Sequence, residues 1–320
     1  MRKVNFCVFL PFYAFQSKKS SQSEPLFSRV KDLVLECERL GFHSVWLDDH
    51  LMFGRMPILE CWTTLAALAA TTSRIRLGTM VTSNGLRNPA LLAKMAATVD
   101  VISGGRIEFG IGSGIQVEEH IAYGFPFPDI EVRTEKLRES LEIFKSLWRE
   151  EKTDYSGKHY NIINAFCEPK PIQQPYPPIT IGGAGEEFTL KVTAQHADRF
   201  DFGYLPSLEI YKHKLTVLES YCKQMGRDIQ NIEKTCWPAG QITIGLDQVA
   251  VAEEVQKVKP ENISVEDFEK VCFAGTPEEC IAKLQPYIDL GVTHFMLYFS
   301  GLPKTASLRT FAETVAKKIT

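Results

Sequence analysis

Two aspartates and a histidine, Asp48-Asp49-His50, close a short apolar run from Ser44 to Leu47, and an imidazole beside carboxylates is a proton-transfer group. A neighbouring Asp can orient the ring as a proton donor. The same residues also suit a helix N-cap cluster, in which Asp48 or Asp49 accepts backbone N–H bonds and His50 merely packs. Two glycine turns accompany them: Gly112-Ser113-Gly114 ends the run Ile107 to Ile111, and Gly182-Gly183-Ala184-Gly185 ends Ile179 to Ile181. Glycine admits left-handed φ and leaves main-chain N–H groups uncovered, so a flat ring or a phosphate can sit against such a loop. The second turn lies directly before a predicted helix starting at Glu186. The positive end of that helix suits a phosphate, and the segment also reads as an ordinary strand-to-helix turn.

Further candidates follow the other strand-like runs. Pro11-Phe12-Tyr13 comes after the first, and Thr82-Ser83-Asn84-Gly85 after the third. Phe12, Phe125 and Phe127 read as walls for an apolar substrate. His120, behind Glu118 and Glu119, reads either as a cap on the substrate side of a pocket or as part of a solvated turn with a local salt bridge to Arg133. The glycines after Ile107 to Ile111 match the opening of a dinucleotide fingerprint. The strand begins too far from a domain start, however, and no acidic residue ends a following strand about 20 residues on. No Ser-His-Asp elbow and no zinc-ligand spacing is present.

These groups need a scaffold that brings strand ends together. Strand-like and helix-like runs alternate: Val4–Leu10, a helix over Ser28–Leu40, Ser44–Leu47, a helix over Leu59–Thr72, Ile75–Thr82, a helix from Pro89 to about Ile102, and Ile107–Ile111. A helix from about Arg133 to Trp148 follows. An irregular, proline-rich stretch over Glu150–Pro178, with a hairpin around Gly157, then interrupts the rhythm. The alternation resumes with Ile179–Ile181, a helix to His196, a strand near Arg199–Phe202, a helix over Leu208–Met225, and a strand over Thr235–Ile244 bent at Pro238 and Gly240. Pro277–Leu290, Thr293–Phe299 and a terminal helix complete it. Eight nearly all-apolar strands, each followed by a helix, predict an α/β fold of the (β/α)8 barrel type with an insertion after strand four, and a doubly wound sheet is the alternative. In a barrel the ligand site lies at the C-terminal strand ends, where the residues above gather.

The 320 residues, 44% hydrophobic and 23% charged with a net charge of -3, fit one soluble domain spanning 1–320 with its insertion at about 150–178, and no basic excess points to nucleic acid. No apolar run reaches the ~20 residues of a membrane span. Eight scattered cysteines without a C-x-x-C pair read as reduced thiols, which places the protein in the cytoplasm.

Five segments carry a family resemblance: LGFHSVWLDDH (40–50), LECWTTLAALAATTSRIRLGTMVT (59–82), RNPALLAKMAATVDVISGGRIEFGIGSG (87–114), EEHIAYGFPFP (118–128) and PPITIGGAGEEFTLKVTAQHAD (177–198). The chain resembles the bacterial luciferase-like superfamily, and within it the coenzyme F420-dependent oxidoreductases. The resemblance implies a TIM-type barrel, a homodimer and a deazaflavin or flavin across the strand ends. Its phosphate would rest on Gly182, Gly183, Ala184 and Gly185, with Asp49 and His50 approaching the ring and Gly112, Ser113 and Gly114 lining it. Relatives keep a non-prolyl cis peptide in a bulge after strand three, which maps to Met80-Val81, next to Thr82, and would back the ring. Where the sugar-phosphate dehydrogenase branch has a glutamate after the strand-four glycines, this chain has Ile115, and it lacks the tryptophan that follows the rim histidine there. A sugar phosphate is therefore not the expected substrate.

The expectation is an oxidoreductase that moves a hydride between F420 and a small organic molecule, with His50 as proton donor or polariser and Asp49 beside it. The alternative is an FMN-dependent monooxygenase fed by a partner reductase. A third reading keeps the barrel as a binding protein without turnover.

Overall fold

The computed structural model describes residues 3–15 and 25–319. Eight strands form its centre: β1 (Asn5–Leu10), β2 (Ser44–Leu47), β3 (Arg76–Thr79), β4 (Ile107–Gly112), β5 (Ile179–Gly182), β6 (Arg199–Asp201), β7 (Glu233–Cys236) and β8 (His294–Leu297). All pair in parallel with their chain-order neighbours. β1 pairs with β8, and the register Leu77↔Ile107 and Gly78↔Glu108 joins β3 to β4, so the ring closes as the alternation predicts. A two-residue strand, Thr82–Ser83, adds to the upper edge of β4.

Side chains along a strand alternate between the two faces, and the cores follow that alternation. Val8, Leu10, Val45, Leu47, Phe295 and Leu297 face outward into the large core under the helices. Cys7, Trp46 and Met296 point inward and pack with Phe9, Met80 and Trp237. The barrel interior is not uniformly apolar. At its N-terminal end Glu108 is held by Arg76 and by Arg199 at 2.7 Å, and Arg199 reaches Glu233 at 2.7 Å.

Helix boundaries follow local chemistry. Helix Pro89–Ser103 starts with its Asn88 carboxamide accepting from the Ala90 and Leu91 amides, has proline in the first turn, and ends on Gly104 at φ 69°. Helix Pro277–Asp289 has a reciprocal capping box between Thr276 and Glu279. The other barrel helices are Leu26–Leu40, Cys61–Thr71, Ile130–Arg149, Thr189–His196 and Leu208–Gln224. The hairpin read around Gly157 forms from Thr153–Ser156 and Asn161–Ala165.

Three expectations need correction. The third strand stops at Thr79, because the chain bulges at the cis Met80-Val81 peptide before pairing again at Thr82. Thr235–Ile244 is two strands. β7 ends before Pro238, and Gln241–Ile244 leaves the barrel to pair with Cys272–Gly275 in a small separate sheet. Helices Gln248–Val258 and Val265–Val271 pack on that sheet around Val251, Val255, Phe268 and Cys272. The third correction is a six-residue helix, Val117–Ala122, in the segment that one reading made a solvated turn. No helix among the described residues is long and apolar enough to cross a membrane.

Candidate active site

The C-terminal strand ends open into a cavity of about 1110 Å³. Asp49, His50, Met80, Val81, Gly112, Ser113, Gly114, Phe127 and all four residues Gly182, Gly183, Ala184 and Gly185 line it. Both glycine turns therefore share one rim.

Close approach favours glycine at two of these positions. A Cβ on Gly112 would lie 3.0 Å from Val81 Cγ2, and one on Gly182 would lie 2.9 Å from both Val81 methyls. The bulge side chain thus sits in a notch between β4 and β5, and Met80 and Val81 form a smooth apolar wall. The phosphate expectation for the next residues is altered. Gly183 donates its N–H to the Asp201 carbonyl at 2.8 Å, and a turn at 186–188 separates the glycines from the helix that starts at Thr189. A ligand there would meet Ala184, Gly185 and the turn, without a helix end directly behind Gly185. The cavity volume exceeds the few hundred Å³ of a single small ligand, so the space fits a tricyclic group together with a substrate.

Asp49 does not orient His50. Its carboxylate receives both Arg87 guanidinium nitrogens, at 2.7 and 2.8 Å, and the Ser83 amide at 3.0 Å. Arg87 also bonds Glu60 at 2.5 Å, and Glu60 caps helix Cys61–Thr71. Asp49 therefore ties the turn after β2 to the turn after β3. The partner of His50 is Glu119, on helix Val117–Ala122: His50 Nδ1 lies 3.0 Å from Oε1, and the other oxygen accepts the Leu51 amide at 2.9 Å. Glu119 is buried while His50 is one-fifth exposed. A carboxylate on Nδ1 makes that atom the N–H donor and leaves the Nε2 lone pair for the cavity, so the imidazole is set to accept a proton.

Several expected contacts lie elsewhere. Phe12 is fully buried in the core, with its amide donating to Asp48 at 2.9 Å, and does not line the cavity. Thr82 is buried and accepts from the Trp62 indole at 3.2 Å, leaving its neighbour Ser83 on the wall. Phe125 is half-buried outside the lining. His120 is buried behind the wall, with Nδ1 donating to the Gln116 carbonyl at 2.7 Å and Nε2 3.4 Å from Ser83 Oγ. Arg133 makes no salt bridge with the Glu118-Glu119 pair. Its guanidinium caps the Gly114 carbonyl, reaches the Pro128 carbonyl at 3.0 Å and lies 4.0 Å over the Phe127 ring.

Sequence reasoning passed over Glu119, Asp201, Trp237 and Tyr298. The adjacent pair Glu119-His120 is the available signal for the first. Asp201 closes β6, and Trp237 and Tyr298 directly follow β7 and β8, strands whose expected ends lay one or more residues further on. Burial pushes the Asp201 carboxyl up to about 6, opposed by the amide of Gly203 and the indole of Trp237, which donate at 2.6 and 2.9 Å. Burial likewise pushes Asp48 up to about 6. No metal-binding group of His, Cys, Asp and Glu forms among the described residues.

Known proteins share this architecture. The luciferase-like monooxygenase family pattern matches residues 4–260. The F420-dependent glucose-6-phosphate dehydrogenase of Amycolatopsis mediterranei is 26% identical over 325 residues, spanning 90% of this chain and 94% of that protein. The solved F420-dependent tetrahydromethanopterin reductase of Methanopyrus kandleri superposes with a TM-score of 0.79 at 21% identity, covering 99% of this chain and 100% of that one. The EDTA monooxygenase of Chelativorans sp. BNC1 superposes at 0.82 with 14% identity, covering 99% and 93%. At such identities the two superpositions speak to fold alone.

Proposed function

The chain belongs to the luciferase-like monooxygenase family, and from that premise we propose that it is a coenzyme F420-dependent oxidoreductase acting on a small hydroxyl or carbonyl compound. Near-complete coverage by an F420-dependent dehydrogenase supports the cofactor. The observation that carries the reading is one cavity with two unlike sides, a glycine-and-bulge wall against which a flat ring fits and an imidazole already fixed by Glu119.

When bound, the deazaflavin supplies a ring carbon that accepts or returns a hydride. This chain supplies alignment and proton handling. Met80 and Val81 would back the ring, Gly112, Ser113 and Gly114 would flank it, and Ala184 and Gly185 would meet its polar tail. Arg133, beside the Gly114 carbonyl, would offer a cation to an anionic group on that side of the cavity. His50 Nε2 takes the substrate hydroxyl proton in oxidation, or gives it in reduction, while Glu119 stabilises the imidazolium that forms. Asp49, locked by Arg87, holds the β2 turn so that His50 faces inward.

Titration of the purified protein with F420 and with FMN tests the cofactor. Micromolar or tighter F420 binding supports the proposal. Tight FMN binding without F420 binding sinks it in favour of a flavin monooxygenase, which oxygen uptake with reduced FMN then checks.

A further inference from the structure

The cavity wall opposite the glycines carries an arc formed by the rings of Trp237, Phe9, Tyr298 and Tyr13, and Phe53, just outside the lining, links Tyr13 to His50. Centroids step from Trp237 to Phe9 at 5.2 Å, to Tyr298 at 5.8 Å, to Tyr13 at 6.2 Å, to Phe53 at 5.9 Å and to His50 at 6.0 Å. The arc therefore begins on the β7 side and ends on the proposed proton acceptor. Midway along it a second cavity of about 490 Å³ opens, sharing Tyr13, Gln241, Val271 and Tyr298 with the first. Its remaining described walls include Ala14, Val258, Ile263, Phe268 and Leu302, with Asp267 as the one charged group.

Charge on this side is negative. Asp201 lines the main cavity under Trp237, and Asp48 lies close enough to the linked hydroxyls of Tyr13 and Tyr298 to act on both. Of the described residues lining the main cavity, Arg133 is the sole arginine or lysine, and it stands on the glycine side. A phosphorylated substrate would meet carboxylates on this side with no lysine or arginine there, among the described lining residues, to offset them.

Resting on the F420 reading above, we propose that the substrate is an uncharged alcohol or ketone with an extended apolar body, its oxygen at His50 and its hydrocarbon running along the ring arc into the side chamber. Glucose-6-phosphate, the substrate in the relatives' names, does not fit that description.

Calorimetric binding of methyl ketones from butanone to decanone, and of glucose 6-phosphate, to the full chain with and without F420 tests this. Affinity is expected to rise roughly threefold per methylene until the chamber fills. Val271 is half-exposed at the chamber entrance, so Val271→Trp folds and should end the gain several carbons earlier, while Val271→Ala keeps it. A flat dependence on chain length, a gain unchanged in Val271→Trp, no ketone binding, or tighter binding of glucose 6-phosphate than of decanone each overturns the proposal. A parallel F420 titration reports the cofactor reading separately, because the ring arc belongs to the protein alone.

Discussion

His50 and Glu119 come from segments 69 residues apart and meet at 3.0 Å, so their roles can be separated by substitution. His50→Ala should lower kcat roughly 10²–10⁴-fold with F420 affinity little changed. Glu119→Gln, which keeps shape and loses charge, should lower it by roughly tenfold or more. The double variant should fall no further than His50→Ala alone, because the carboxylate acts only through the ring. Steady-state kinetics across pH decide this, and additive losses would return Glu119 to a purely structural role. Asp201 carries a second prediction. Its folded pKa of about 6 lies above the ordinary carboxyl value, so its neutral form stabilises the fold below about pH 4 and that contribution is lost as pH rises through 6. Asp201→Asn keeps an oxygen for Trp237 and Gly203 and cannot ionise. It should raise Tm at pH 7.5 by the equivalent of at most about 3 kcal/mol and leave Tm near its wild-type value at pH 4, as differential scanning calorimetry would read.

At the scale of elements, the Val81 bulge and the glycines beneath it act as one unit. Gly182→Ala places a methyl 2.9 Å from both Val81 branches, an overpacking expected to cost about 1–3 kcal/mol, and adding Val81→Ala should recover most of it. Thermal melts of the cofactor-free protein test the pair, and a double variant no more stable than Gly182→Ala would show that Val81 is not the obstacle. This coupling explains part of what was legible beforehand. Strand β2 was read to the residue and β4 to within one, because each is a buried apolar run ending in a polar or glycine signal. The bulge was placed by family likeness alone, since Ile75–Thr82 shows no break in hydrophobicity. Helix Val117–Ala122 is too short to display a helical period, so Glu119 was passed over. Helices Gln248–Val258 and Val265–Val271 bury only a small satellite core, and their mostly exposed faces mask the pattern. Phe12 was assigned to a pocket wall by its place after a strand, whereas the chain turns at Pro11 and sends the ring into the core.

The whole molecule separates chemistry from stability along the barrel axis. The proposed site occupies the C-terminal ends of the strands, while the N-terminal end holds Glu108 between Arg76 and Arg199. Burial opposes ionisation of Glu108, yet the Arg199 and then the Arg76 guanidinium outweigh it and hold the carboxyl at about 2. Burial also keeps the nearby His43 down to about 4, so the cluster carries its charge on the guanidinium and carboxylate groups at neutral pH. Removing one partner leaves the other buried and uncompensated. Glu108→Ala should therefore cost about 3–5 kcal/mol, seen as a lower urea midpoint with an unchanged slope, whereas Glu108→Leu combined with Arg199→Met should recover much of that loss. Since Glu108 and Arg199 do not line the cavity, F420 affinity of the folded fraction should stay within about twofold of wild type in both variants. A large affinity loss at wild-type stability would instead mean that the base of the barrel sets the geometry of its mouth.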